Sequence, residues 1–454
     1  MSKVRLLLAV ACCLACRTGA PDVGELFQQT TGVVRLPPGV VEVSREIKIP
    51  EGARDLEVSG ASEGTVLRAA DDFQGRAVIH MKSVSHVRLR RFTIDGNRSA
   101  LAKPVGLPPS DVAFVDFYRN NGLIAEDATG LEVSNVEFIN IANFAVLIAR
   151  SKDVTLDAIR VADSGSTNER GRNNTTGGIL LEEGTSDFTV RNSLFRNIRG
   201  NGVWTHSRYG SPRNHDGVIS GNWFYNLARD AIQVGHATRV RVLENNGERI
   251  GYPVPEVDVE GGGTPVAIDT AGNVDHSVYG ENYFEEVNGK CIDLDGFHDG
   301  EVRRNGCVNH LDAGQYPFGH YGIVMNNANP DMESRNIAVE DNYIDGMKYG
   351  GIFVIGSGHR IVGNRLLHLN KARCGDKADE PGCSYFPGEP DLLRSGIYLG
   401  RGAERPALAT GNLVENNEIT GYKMSTRCIG LAPGVPRSAN RIRNNICRDA
   451  PEAR

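Results

Sequence analysis

The stretch Cys291-Ile-Asp-Leu-Asp-Gly-Phe-His-Asp-Gly300 sets Asp293 and Asp295 either side of a leucine, then adds His298 and Asp299. In a β-strand the aliphatics of such a run point one way and the carboxylates the other. Crowded carboxylates raise one another's pKa, which lets one act as a general acid near neutral pH while its neighbour stays ionised. Cleavage of a glycosidic bond asks for that pairing, with carboxyl groups about 5 Å apart in retaining enzymes and about 6.5–9.5 Å apart in inverting ones. A solvated strand face, or a structural Ca²⁺ site built from aligned aspartates, is the alternative.

The elements that must position these acids are visible as an internal repeat. One pattern, G-I-x-L/V, recurs in eleven segments that start at residues 122, 145, 178, 202, 231, 265, 291, 322, 351, 396 and 428. A second, V-x-N-x-φ, alternates with it, as in VSNVEF (133), YGENYF (279), VEDNYI (339) and VENNEI (414). Short β-branched strands closed by Gly or Asn turns, without helical periodicity, describe an all-β, single-domain right-handed parallel β-helix of about eleven coils. The recurring asparagine is expected to stack on its counterpart in the next coil. A β-propeller would need a steadier repeat and Trp-Asp or kelch signatures, and neither is present.

Aligning the first pattern yields two outward columns. One reads Leu180, Trp204, Gln233, Ala267, Asp293, Val324, Phe353, Tyr398; the other reads Glu182, His206, Gly235, Asp269, Asp295, Asn326, Ile355, Gly400. Neighbouring coils stand about 4.8 Å apart, so Asp269 and Asp295 are expected one rung apart, with Asp293 beside them. The expected catalytic set is Asp269, Asp293, Asp295 and His298. Asp295 or Asp269 serves as acid and Asp293 as base or nucleophile. Trp204, Phe353 and Tyr398 are expected as flat surfaces for sugar rings, and His206, Glu182, Asn326 and Arg401 as further substrate contacts. The irregular segments 163–176, 252–265, 311–321 and 371–395 each precede one of these strands and are expected to wall the cleft.

At the N-terminus, Lys3 and Arg5 precede an apolar run too short to span a bilayer, which describes a signal peptide over residues 1–20. It ends in Leu-Ala-Cys, a lipoprotein pattern with Cys16 as the lipidated residue and Cys12 as the rival. Residues 21–454 form the β-helix domain. Three local disulfides, Cys291–Cys307, Cys374–Cys383 and Cys428–Cys447, are the simplest reading of the remaining cysteines in an oxidising compartment. No zinc spacing occurs, and no metal or cofactor is expected for a hydrolase. A net charge of −6 gives no electrostatic case for nucleic acid or an anionic membrane surface. Contact with a membrane is expected only through a lipid anchor, at a bacterial cell envelope; a periplasmic or secreted protein is the alternative.

Residues 33–70, with their L-P-P-G turn, I-x-I-P strand and G-A-S-E-G-T-V-L stretch, resemble the opening of pectate-lyase-like β-helix proteins. Glu25–Thr31 is expected as a short capping helix. The resemblance extends over nearly all of the mature chain at the level of superfamily. It implies a polysaccharide or oligosaccharide partner bound over the corresponding sheet, and the three aspartates are similar in arrangement to those of polygalacturonase-like glycosidases. The N-T-D, D-D, G-H-G and R-I-K motifs of those enzymes are absent. Asp295-Gly-Phe-His-Asp299 is similar to the D-P-H-D of mannuronan epimerases, with one extra residue and no proline. The expectation is an exported glycoside hydrolase or transglycosylase. A uronate lyase or epimerase, with Ca²⁺ if a lyase, is the second reading, and a non-catalytic glycan-binding β-helix the third.

Overall fold

The computed structural model describes residues 27–259, 263–326, 330–375, 383, 388–401 and 407–450. The signal segment, with Cys12 and Cys16, lies outside them. Each coil visits three parallel sheets in order, as in Lys290–His298, then Glu301–Arg303, then Gly306–Val308, before Ile323–Asn326 opens the next. The eleven strands of the G-I-x-L pattern are joined in parallel, each of the first ten to the next along the chain. An earlier strand, Thr65–Lys82, adds a further rung below Asn121–Glu126.

Residues 27–31 form turn and bend, so the described part of the expected capping helix is not helical. Two β-branched threonines followed by Gly32 at φ +92° oppose a helix here. The carbonyl of Thr30 instead accepts the N–H of Arg54 from the next coil.

The bore is filled by stacked aliphatic and aromatic side chains, including the Phe195–Phe224 pair with ring centroids 4.9 Å apart. Between the second and third sheets the chain turns at an asparagine, and these asparagines form a ladder. Asn222, Asn245, Asn282, Asn305, Asn342, Asn364 and Asn417 each pass a side-chain N–H to the amide oxygen of the next, ending at Asn445, at 2.8–3.0 Å. Each oxygen also takes the backbone N–H of the preceding asparagine, so one amide satisfies groups on both neighbouring coils. This is why the residue type recurs: a shorter or apolar side chain would leave buried polar groups without partners.

One departure from the plain coil shapes the outer surface of the first sheet. Residues 96–120 leave the coil and fold back over that sheet. There Phe114, Val115 and Tyr118 pack on the outward Ile124, Leu147, Leu180 and Trp204 as a second apolar cluster. All three disulfides pair as the sequence implied. Cys291–Cys307 lies inside the bore, directly behind the strand that carries Asp293.

The ladder makes a direct prediction. Asn305→Ala strips partners from the backbone N–H of Asn282, the carbonyl of Tyr279 and the amides of Asn282 and Asn342. Each buried group left unpaired costs about 1–3 kcal/mol, so urea unfolding should show a loss of at least about 2 kcal/mol. A variant as stable as the parent would mean that the ladder is not stabilising.

Candidate active site

The register of the first sheet differs from the expected one at a single coil. Gln233 pairs with Asp269, and Ala271 pairs with Asp295. Asp269 therefore belongs to the column of Trp204, Gln233 and Asp293, and Asp295 stands opposite Ala271 and Asn326. The expected Asp269–Asp295 column is corrected to Asp269–Asp293. The cause is Thr270, which fills an inward position that is aliphatic in most other coils. It is fully buried, and its hydroxyl is bonded to that of Tyr279 at 2.8 Å inside the bore. With Thr270 counted as an inward residue, Val266-Ala-Ile-Asp-Thr aligns with Asp230-Ala-Ile-Gln-Val and Lys290-Cys-Ile-Asp-Leu.

This alignment brings in Asp230, which was missed. Its signal is its place two residues before the first inward aliphatic, a position held by Asn201, Asp230 and Lys290 in three of four successive coils. Asp230, Asp269 and Asp293 form a buried cluster, with Asp269 8% and Asp293 6% exposed. Asn201 donates to Gln233 Oε1 at 2.6 Å, and Gln233 Nε2 donates to Asp269 Oδ2 at 2.8 Å. Asp293 accepts the Lys290 ammonium on Oδ2 and the Asn326 amide on Oδ1, the latter at 3.1 Å. Asp230 accepts the backbone N–H of Val266 at 2.9 Å and the guanidinium of Arg229 at 3.2 Å.

Burial first, then the charges of Asp230 and Asp293, hold the Asp269 carboxyl well above the usual aspartate range. Asp230 is raised as well, chiefly by burial, against the opposing pull of Arg229. His320, from the 311–321 segment, is pushed down to about 3 by burial and then by the Lys290 charge, so its ring is neutral. The arrangement sets a carboxyl whose pKa is raised by burial one rung from an aspartate bonded to an ammonium.

The other expected site residues fall elsewhere. His298 is buried and bonded to Asp299 at 2.8 Å, to Asn273 at 3.2 Å and to Arg335 at 3.0 Å. These partners hold it at the end of its strand, beside the turn toward the second sheet. Trp204 is 6% exposed and lies edge-on to Phe114, with centroids 5.0 Å apart. Tyr398 is fully buried, with its hydroxyl on Glu389, which also takes Arg401 at 2.6 Å. Neither ring is an open platform, because the 96–120 insert covers one and Glu389 and its neighbours engage the other. Phe353, half-buried, stacks on Tyr398.

Glu182 is sealed beneath the insert and accepts the backbone N–H groups of Phe114 and Val115 at 3.0 and 2.7 Å. Burial raises it to about 8, and burial lowers the neighbouring His206 to about 4. Glu182, Glu183 and His206 bring ligand-type atoms within 4.8 Å of one another. Glu183 is already held by three bonds from Arg208, so a cation here would have to displace that guanidinium.

Residues 77–255 match the family described as "Right handed beta helix region". No curated protein matches the chain by sequence. Among solved structures, the chain is similar to the N-terminal fragment of bacteriophage Phi29 gene product 12, at 14% identity and a TM-score of 0.59 over 90% of this chain and 67% of that one. It is also similar to the periplasmic alginate epimerase AlgG, at 12% identity and a TM-score of 0.53 over 91% of this chain and 83% of that one. The Dettilon tailspike protein follows at 11% identity and 0.53, over 90% of this chain and 63% of the tailspike. Coil by coil and by these likenesses, the chain is a right-handed parallel β-helix protein of the pectate-lyase-like fold.

Proposed function

We propose that this protein is an extracytoplasmic glycoside hydrolase or transglycosylase acting on a weakly charged glycan. In this reading Asp269 is the general acid and Asp293 the base or nucleophile. The observation that supports it is the buried Asp230–Asp269–Asp293 cluster on successive rungs. Gln233 occupies Oδ2 of Asp269, which leaves Oδ1 to carry the proton toward a glycosidic oxygen. Adjacent rungs are about 4.8 Å apart, near the roughly 5 Å spacing of retaining pairs. Asp230 acts through Asp269, since its charge helps keep the acid protonated.

A uronate lyase or epimerase needs a cation to neutralise the substrate carboxylate. Lys290 and Arg229 are each bonded to an aspartate, which favours the hydrolase over that runner-up. The three disulfides suit a protein of an oxidising, extracytoplasmic compartment. Export through residues 1–20, with lipidation at Cys16, belongs to the same proposal.

On a panel of neutral and acidic polysaccharides, the parent should release reducing ends. Asp269→Asn and Asp293→Asn should each lower that release by about 10²–10⁴-fold while glycan binding persists. Ultraviolet-absorbing unsaturated products would establish a lyase instead. No release by the parent, with both variants still binding, would leave the non-catalytic reading standing.

The raised pKa of Asp269 has a stability consequence of definite sign. Its protonated carboxyl favours the folded state fully below the ordinary aspartate value of about 3.9, and that advantage is lost as pH rises toward the raised value. Asp269→Asn removes the ionisation. Its melting temperature should exceed the parent's at pH 8 and not at pH 4, as read by scanning fluorimetry. An unchanged difference between the two pH values would contradict the assignment.

A further inference from the structure

The third sheet carries a row of aromatic residues that the acid cluster does not use. Its outermost column runs, rung by rung, Trp223, Asn246, Tyr283, Gly306, Tyr343, Arg365. Trp223 is 47% and Tyr283 40% exposed, and Tyr343 is half-exposed. The aromatics fall on every second rung, about 9.6 Å apart, and the rungs between them carry a polar side chain or none.

The rings are not loose. A β-carbon on Gly306 would meet the Tyr283 ring at 2.4 Å, so that ring lies down over the glycine backbone. The Tyr283 hydroxyl donates to Glu285 at 2.8 Å and the Tyr343 hydroxyl to Asp345 at 2.9 Å. The Arg365 guanidinium sits 5.3 Å from the Tyr343 ring centroid and extends the flat row by one rung. The parallel column alongside holds Glu248, Glu285 and Asp345.

We propose that this strip binds an extended, neutral β-1,4-linked glycan lying along the helix axis. In such a ribbon every second sugar turns the same face to one side, and the strip offers a ring at every second rung. The acidic column accepts hydrogen bonds from sugar hydroxyls and repels uronate or sulfated chains, which fixes the charge class of the occupant. A coiled α-linked chain would lift off after the first ring. The site is separate from the acid cluster and does not depend on its chemistry.

The chain has two tryptophans, and Trp204 is buried, so the emission of Trp223 reports on the strip. The probe is cellohexaose titrated into Asp293→Asn protein, which prevents turnover. A saturable emission shift is expected. Tyr283→Ala should raise Kd at least tenfold, Trp223→Ala should abolish the shift and weaken calorimetric binding equally, and Tyr283→Phe should stay within about twofold because the ring is kept. Maltohexaose and alginate should bind at least tenfold more weakly. The proposal falls if cellohexaose does not bind at millimolar concentration, if Tyr283→Ala binds like its parent, or if maltohexaose binds as well. An active enzyme whose strip does not bind would sink this inference alone. A binding strip on an inactive protein would sink only the hydrolase reading.

Discussion

Backbone hydrogen bonding from each coil to the next is the interaction on which everything else here rests. It is parallel, continuous and nearly constant in spacing, so it converts sequence position into distance along an axis. A residue must therefore tolerate its equivalent about 4.8 Å above and below. Asparagine does so by passing a hydrogen bond along the stack, and phenylalanine by lying on its neighbour. Aspartate does not. A stack of carboxylates at that spacing, removed from water, is stable only if protons or cations intervene. The first sheet has cations at its margin in Lys290 and Arg229, and the Asp269 carboxyl is shifted upward, toward its protonated form, by burial and by its acidic neighbours.

The same constraint explains how the surface of the first sheet is divided. At the lower rungs the outward column is apolar, and the 96–120 insert seals it as a small second core. From Gln233 through Asp269 to Asp293 the column is polar and acidic, and Val324 and Phe353 return it to apolar side chains above. Trp204 sits at the border, covered on one side by Phe114 and adjoining Gln233 on the next rung. A ring that reads in the sequence as a sugar platform is thus the end wall of the polar stretch.

The fold was legible because it depends on residue types repeated many times. Eleven aliphatic strands and eight laddered asparagines carry the same information, and no single substitution hides it. The site was legible only in part because it depends on single positions. Asp269 and Asp293 stood out as acids in strands, but one buried threonine, satisfied by a tyrosine hydroxyl within the bore, displaced the register by two residues. Asp230 sits just before its strand, where an acid is unremarkable until three coils are in register. The insert escaped notice because its apolar residues cover a neighbour's outer surface and follow no repeat. Tyr398 and Trp204 were judged by type, whereas their roles follow from what folds over them.

The asparagine ladder carries a further implication for how such a protein can change. Because each rung is bonded to its neighbours by the same amide and the same strands, a whole coil can be lost or duplicated and the seam will close. A gain or loss of one residue within a strand would instead turn inward side chains out and throw the following ladder position out of register. Insertions are tolerated only in the connections, where residues 96–120 already show one. Descent from a common ancestor should therefore leave relatives that differ in length by complete turns and by loops. The acids would keep their places relative to one another while their distance from either end of the solenoid drifts.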